Sequence, residues 1–191
     1  MLDLILILQL FVLLNPLSSF SVLMSAHKRK MDVKKIAVNA VIIAFIIAMS
    51  MVFVGPLLFA AFGITLDSFR VAGGVVLFLL GLDTIRGTQN KKDFTEIDGV
   101  SSIIATPLLT GPATISFITI KTYELGQMPI VLNLLVTFVL VFAIFGVFAI
   151  VISKINEKIV SISSKVFGLF LTSVAIDMIA KGIAALLLVA K

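Results

Sequence analysis

The chain has 191 residues, of which 60% are hydrophobic and 13% charged, and its formal net charge is +5. A soluble domain carries about 25% charged and about 45–50% apolar residues, so the composition excludes a water-soluble protein and indicates an integral membrane protein. Cysteine is absent, which excludes disulfides, thiolate catalysis and cysteine metal sites.

Six apolar segments follow one another along the chain and predict six membrane-spanning helices. In chain order they are 4–26, 36–64, 71–85, 100–120, 125–153 and 166–190; the third contains Asp83, and the sixth contains Asp177 and Lys181. The first segment lacks a basic start and follows Asp3, so we interpret it as a retained helix and not as a signal peptide. No hydrophilic block is long enough to fold separately. Residues 1–191 are therefore predicted to form a single transmembrane domain.

Basic residues concentrate in the loops after the first, third and fifth predicted spans. These loops hold five, three and three of the 15 Lys and Arg residues. Because Lys and Arg stay on the cytoplasmic side, both termini are predicted to lie outside the cytoplasm. His27 stands alone in the first of these loops and is predicted to be solvated, so we expect no metal site. Membrane topology and anionic lipid headgroups explain the cations, so no nucleic-acid partner is expected.

The second half of the chain repeats features of the first. Asn15-Pro16 matches Thr106-Pro107 and Gly55 matches Gly146, both at an offset of 91. A loop that is four residues longer in the second half raises the offset to 95 for the rest of the repeat. At this offset, two basic residues and two glycines have counterparts: Arg70 with Lys165, Gly73 with Gly168, Arg86 with Lys181, and Gly87 with Gly182. Each unit has three spans, which is an odd number, so the second unit enters the membrane from the side opposite to the first. We therefore predict an all-α membrane protein of six transmembrane helices, built as two inverted three-helix repeats of about residues 1–95 and 96–191.

Helix-breaking residues interrupt the first and fourth predicted spans, so helices 1 and 4 are predicted to be discontinuous. Proline has no N–H and leaves carbonyls without helical partners, which is tolerated at this depth where the backbone lines a cavity. The start of a half-helix suits a carboxylate and freed carbonyls suit an ammonium, so a small amino acid fits both. Simple kinks with interhelical hydrogen bonds are the structural alternative. The predicted substrate-binding residues are Asn15, Pro16, Ser18, Ser19, Thr106, Pro107, Thr110, Gly111 and Pro112, with Thr114 as a further hydrogen-bonding residue.

Asp177 and Lys181 lie four residues apart within the sixth predicted span and share one helical face. Ionisable residues at membrane depth are costly and are candidates for function, so one hypothesis is that Asp177 takes a coupling proton or sodium ion. The alternatives are a structural ion pair or a helix end at the interface. No other cofactor is expected, and no nucleotide-binding loop of the Gly-Lys-Ser/Thr type is present.

An enzyme is not expected, because the predicted spans contain no His, no Cys and no close pair of carboxylates. We predict a secondary transporter that moves a small neutral solute, an amino acid such as glycine or alanine, by alternating access. A channel or an exporter for another small solute stays open as an alternative. A homo-oligomer is also left open.

Three motifs give the sequence a resemblance to the MarC family of bacterial and archaeal integral membrane proteins. They are LNPLSSF at 14–20, FGITLDSFRVAGGVVLFLLGLDTIRG at 62–87 and TPLLTGPATI at 106–115, and the resemblance extends over essentially the whole chain. It implies a multi-pass protein of the cytoplasmic (inner) membrane. Some members are described as small neutral amino acid transporters, which implies a substrate of that class. Ser18 and Ala113 stand where the family pattern often has glycine, so the pocket is expected to be narrower here and the substrate is left open.

Overall fold

The computed structural model describes residues 2–87 and 109–189, and all regular elements in these two ranges are helical. The predicted all-α class is confirmed for this part of the chain. The elements are α1 (Leu4–Leu14), α2 (Pro16–Lys28), α3 (Val33–Phe62), α4 (Leu66–Arg86), α5 (Pro112–Leu125), α6 (Gln127–Val151) and α7 (Glu157–Val189), with a 3-10 turn at Ile152–Lys154.

Four of these helices are long and apolar enough to cross a membrane, namely α3, α4, α7, and α6 with its 3-10 turn. They correspond to the second, third, sixth and fifth predicted spans. The first predicted span consists of two shorter helices, α1 and α2. The second half of the fourth is α5, and its first half lies outside the described residues.

The last helix starts earlier than predicted. α7 begins at Glu157, nine residues before the expected start of the sixth span, so Lys158 and Lys165 are helical and not part of a loop as expected. Asn156 supports this early start, because its side chain accepts a hydrogen bond from the Lys158 N–H at 2.8 Å. The 33 residues of α7 extend over about 50 Å, which exceeds the hydrocarbon thickness of about 30 Å. The helix can therefore cross the hydrocarbon layer and still carry lysines in first turns that lie outside it.

Helices α4 and α7 form the most extensive helix pair in the described part of the chain. Their backbones approach closely at Gly74, which faces Ala175, and at Gly81, which faces Gly168. A Cβ at Gly81 would lie 2.9 Å from the backbone nitrogen of Thr172 and 3.0 Å from the Gly168 carbonyl. Residue numbers rise along α4 as they fall along α7, so the two helices are antiparallel. Small residues are what such close contact between membrane helices requires.

Helix α5 is held between α3 and α4 by two further glycines. A Cβ at Gly55 of α3 would lie 2.5 Å from the Thr119 side chain, and one at Gly73 of α4 would lie 2.6 Å from the Ser116 side chain. Both contacts come from the polar face of α5, where Ser116 and Thr119 are buried. The half-helix that follows the second break therefore lies in the interior of the bundle.

Asp3, the residue just before α1, attaches this helix to α6. Asp3 caps α1 by accepting hydrogen bonds from the N–H groups of Ile5 and Leu6 at 2.9 and 3.3 Å. The Asp3 N–H donates to Oδ1 of Asn133, a fully buried residue of α6, at 2.8 Å. The mid-span amide Asn133 thus has a structural partner, and the start of α1 is fixed against α6.

Two glycine-to-alanine substitutions test the role of the α4–α7 contact. Gly81→Ala places a Cβ against backbone atoms that cannot rotate away, and such overpacking costs about 1–3 kcal/mol. Gly146→Ala, in α6, meets no atom within 4 Å and gains about 0.5–1 kcal/mol from helix propensity. Thermal unfolding in detergent should show a lower midpoint for the first variant and an unchanged or higher one for the second. Equal midpoints would contradict the close packing.

Candidate functional site

The first span is interrupted at Asn15, which separates α1 from α2. Asn15 adopts φ 42° and ψ 58°, a left-handed conformation that asparagine tolerates better than most residues. Pro16 follows as the first residue of α2 and has no N–H to bond the Val12 carbonyl. The Asn15 N–H donates to that carbonyl instead, at 3.1 Å. The predicted discontinuity of helix 1 is therefore present, at a buried position.

The second break ends at Gly111, after which α5 begins with Pro112. Both α2 and α5 thus begin with a proline that follows a break. The backbones before the two prolines differ, because Asn15 is left-handed (φ 42°, ψ 58°) and Gly111 is extended (φ −68°, ψ 174°). The counterpart of Asn15-Pro16 predicted from the sequence is Thr106-Pro107. Thr106 and Pro107 lie outside the described residues.

The two breaks meet at Thr114, in the first turn of α5. Its hydroxyl oxygen is 3.2 Å from the Leu109 carbonyl oxygen, in its own break, and 3.4 Å from the Leu13 carbonyl oxygen, at the end of α1. Leu13, Leu109 and Thr114 are all at most 1% exposed. A single buried hydroxyl therefore shares its hydrogen between one carbonyl of each break.

Two oxygen atoms beside this junction have no hydrogen-bond partner among the described residues. They are Oδ1 of Asn15 and Oγ of Ser19, and both side chains are buried, with exposures of 1% and 0%. The residues are four apart, so both lie on one face at the start of α2. Buried polar atoms are nearly always hydrogen-bonded, and one without a partner costs about 1–3 kcal/mol. Such a pair makes this place a candidate for binding a polar group.

The electrostatic character of the junction comes from helix ends and not from charged side chains. Neither α2 nor α5 has a side-chain cap at its N-terminus, so their first N–H groups present partial positive charge. The C-terminal end of α1 presents carbonyls and partial negative charge. A site with both signs of partial charge and neutral hydroxyl and amide groups suits a small zwitterion.

Most of the predicted site residues that the structure describes are buried at the breaks. Asn15, Pro16, Ser19, Thr110 and Gly111 are buried there. The backbones of Ser18 and Pro112 lie in the first turns of α2 and α5.

Asp177 and Lys181 lie elsewhere. Their side chains form an ion pair of 2.8 Å and are 60% and 67% exposed, so they face outward from α7 and do not line the junction. A coupling role for Asp177 stays a prediction.

The prediction from sequence missed the main-chain part of the site. The carbonyls of Leu13 and Leu109 accept the hydrogen bonds that join the breaks, yet a leucine in an apolar run gives no polar signal. The available signal is its distance from the next proline, since a carbonyl within one turn before proline is left without its helical donor. Thr114 was expected to form hydrogen bonds, but its contact across the two spans depends on tertiary packing.

Thr114→Val tests the contact between the breaks. Valine keeps the shape of threonine but removes its hydroxyl donor. The buried carbonyls of Leu13 and Leu109 then lose a hydrogen bond. We therefore expect the unfolding free energy to fall by about 1 kcal/mol. Thr122→Val is the matched control, because the buried Thr122 hydroxyl donates only to the Ile118 carbonyl one turn back in α5. Chemical denaturation in mixed micelles gives both values. An equal effect of the two substitutions would show that the contact with Leu13 contributes nothing.

Comparison with known proteins gives a family for the chain. Residues 4–187 match the family described as MarC family integral membrane protein. A UPF0056 membrane protein of Methanocaldococcus jannaschii is 31% identical, with 94% of each chain covered. Another, of Aquifex aeolicus, is 28% identical, with 94% of this chain and 91% of the relative covered. No solved structure matches. The chain belongs to the MarC family of integral membrane proteins.

Proposed function

We propose that this chain is a secondary transporter of small neutral amino acids, of the size of glycine or alanine, in the cytoplasmic membrane. The substrate is held where the breaks of the first and fourth spans meet. The observation that carries the proposal is the pair of buried oxygens beside that junction, Asn15 Oδ1 and Ser19 Oγ, for which the described part of the chain supplies no hydrogen-bond partner. A carrier must give its substrate polar contacts in the middle of an apolar bundle, and unsatisfied groups at a helix break supply them.

The chemistry of the junction matches both ends of an amino acid. The substrate carboxylate accepts hydrogen bonds from N–H groups at the starts of α2 and α5, where the helix dipoles favour negative charge. The substrate ammonium donates to Asn15 Oδ1 and Ser19 Oγ. Neither interaction requires a charged side chain, which agrees with a substrate that has no net charge.

The apolar side chains at the junction restrict the substrate to a small one. Leu13, Leu14 and Leu109 are fully buried, and Ala113 is 1% exposed. Added methylene groups strain a well-packed interior. These buried apolar side chains therefore favour a substrate with a small side chain, such as glycine or alanine.

The inverted three-helix repeat is part of the proposal. It is supported by the antiparallel contact of α4 with α7, which are the third helices of the two proposed units. It is also supported by the shared start of α2 and α5 at a proline after a break. With both termini outside the cytoplasm, the two units have opposite orientations in the membrane. Alternating access by rocking of one repeat against the other requires such opposite orientations.

Contacts at one end of the bundle support the alternating-access part of the proposal. A Cβ at Gly55 of α3 would lie 2.5 Å from the Thr119 side chain of α5. Arg70 forms ion pairs with Asp67 and Glu124. These bonds link the start of α4 to the end of α5, on the same side as the Gly55 contact. Among the described residues, α3, α4 and α5 are thus held together at this end, as expected of one state of a carrier.

Uptake by proteoliposomes tests the proposed function. Purified wild-type protein should take up radiolabelled glycine and alanine saturably under an imposed proton or sodium gradient, and Asn15→Leu should abolish uptake. Asn39→Leu is the control, because Asn39 is a partly buried amide within α3 and is not at the junction. Absence of saturable uptake under every gradient, or single-channel currents in its place, would contradict a carrier.

Ser19→Ala separates binding from folding. Removing a buried hydroxyl that has no partner should leave the unfolding free energy unchanged or raise it by about 1 kcal/mol. The same change should raise KM for glycine by about tenfold, because a hydrogen bond to the charged ammonium is lost. Ser173→Ala, on the exposed face of α7, should change neither. A loss of stability without a change in KM would assign Ser19 to structure and not to binding.

A further inference from the structure

A cavity separate from the helix breaks lies between the start of α3 and the end of α6. Its volume is about 250 Å³, and it is lined by Lys34, Ala37, Val38, Phe145, Gly146 and Ile150 among others. We call it the α3–α6 groove. Ala37 and Phe145 form its buried floor, and Val38 and Ile150 on its rim are 38% and 72% exposed. The groove therefore opens on the outer surface of the bundle, which faces lipid in a protein of this family.

Gly146 gives the groove its depth. A Cβ at this position would meet no atom of the described residues within 4 Å, so α6 presents bare backbone to the groove at Gly146. The lining residues on either side are aliphatic or aromatic, apart from one. An elongated apolar molecule fits a groove with this lining. Water does not, because a buried water needs about two to four polar partners.

The exception is Lys34, at the mouth of the groove. Lys34 is the second residue of α3, so its ammonium lies at the end of a membrane-spanning helix, at the level of the lipid headgroups. Its side chain is exposed, and no described residue forms an ion pair with it. The adjoining segment 28–35 contains five Lys or Arg residues and one acid, Asp32. The segment that carries Lys34 therefore has a formal net charge of +4.

We propose that the α3–α6 groove is a binding site for an anionic phospholipid. One acyl chain lies along Gly146 and Phe145, and the phosphate group is bound by Lys34. Basic positions at the ends of grooves between membrane helices recognise anionic headgroups, each cation contributing through the attraction between opposite charges. A second copy of this chain is disfavoured as the occupant, because a symmetric contact at the groove would bring two basic 28–35 segments together. This inference does not depend on the transport proposal.

The floor of the groove connects it to the broken first span. The ring of Phe145 packs edge-on against Phe20 of α2, with ring centroids 5.5 Å apart, and Phe20 also stacks on Phe148 at 3.8 Å. Phe20 directly follows Ser19 in the sequence. An acyl chain in the groove thus touches a ring that supports the start of α2.

Quenching of a single tryptophan by brominated lipids tests this site. The chain contains no tryptophan, so Phe142→Trp, at the rim of the groove, introduces a reporter without background. The variant is reconstituted in phosphatidylcholine, and a fixed mole fraction of brominated phosphatidylglycerol or brominated phosphatidylcholine is added. We expect stronger quenching by the anionic lipid.

Two charge substitutions in the Phe142→Trp background serve as a matched pair. Lys34→Gln should reduce the preference for phosphatidylglycerol about fivefold, the effect of one cation near the membrane surface. Lys35→Gln removes the same charge one residue later, outside the groove, and should leave most of the preference intact. Gly146→Leu should lower quenching by both lipids, because its side chain fills the groove.

Three results would overturn the proposal. One is equal quenching by the two lipids. Another is an equal loss of preference in Lys34→Gln and Lys35→Gln, which would mean a general surface potential and no site. The third is a tryptophan shielded from both lipids, which would mean that protein covers the groove.

Discussion

The structure depends on how the carbonyl groups freed by proline are satisfied inside an apolar bundle. Pro16 and Pro112 each start a half-helix and provide no N–H to the preceding turn. In hydrocarbon such groups cost several kcal/mol if they stay without partners. Asn15 bonds one carbonyl with its own N–H, and Thr114 bonds Leu13 and Leu109 across the two breaks. The requirement that backbone groups be satisfied therefore brings the breaks together.

The same solution leaves the polar side chains at the junction incompletely bonded. Thr114 satisfies main-chain carbonyls, while the oxygens of Asn15 and Ser19 receive no hydrogen bond from the described residues. Buried polar side chains of α5 and α6 such as Thr122, Asn133 and Thr137 bond carbonyls one turn back. Ser164 Oγ in α7 is a third buried oxygen without a described partner, but Ser164 is not part of either break. The proposed site rests on the two such oxygens that lie one turn apart at a break. In physical terms the proposed substrate replaces the missing hydrogen-bond donors.

Local chemistry allowed the first break to be predicted from sequence, because asparagine tolerates a left-handed backbone and proline removes a donor. The spans of α3 and α6 were predicted because their sequences are long apolar runs. The starts of α4 and α7 were missed because hydropathy alone ends a span at a charged residue; α4 begins at Leu66, before Asp67 and Arg70, and lysine in α7 is a good helix former. The predicted partner of Asn15-Pro16, Thr106-Pro107, lies outside the described residues. The contact of Thr114 with Leu13 and the outward direction of Asp177 depend on helix rotation and tertiary packing, which an apolar pattern does not specify.

A distance measurement between bound glycine and Asn15 tests directly whether the substrate lies at the junction of the breaks. Solid-state NMR of the membrane-embedded protein, with ¹³C in the glycine carbons and ¹⁵N in the asparagine side chains, detects dipolar coupling at contact distances. We expect coupling to one asparagine amide that disappears in Asn15→Leu and persists in Asn39→Leu. Coupling that survives Asn15→Leu, or bound glycine without coupling to any asparagine, would contradict a substrate site at the junction of the breaks.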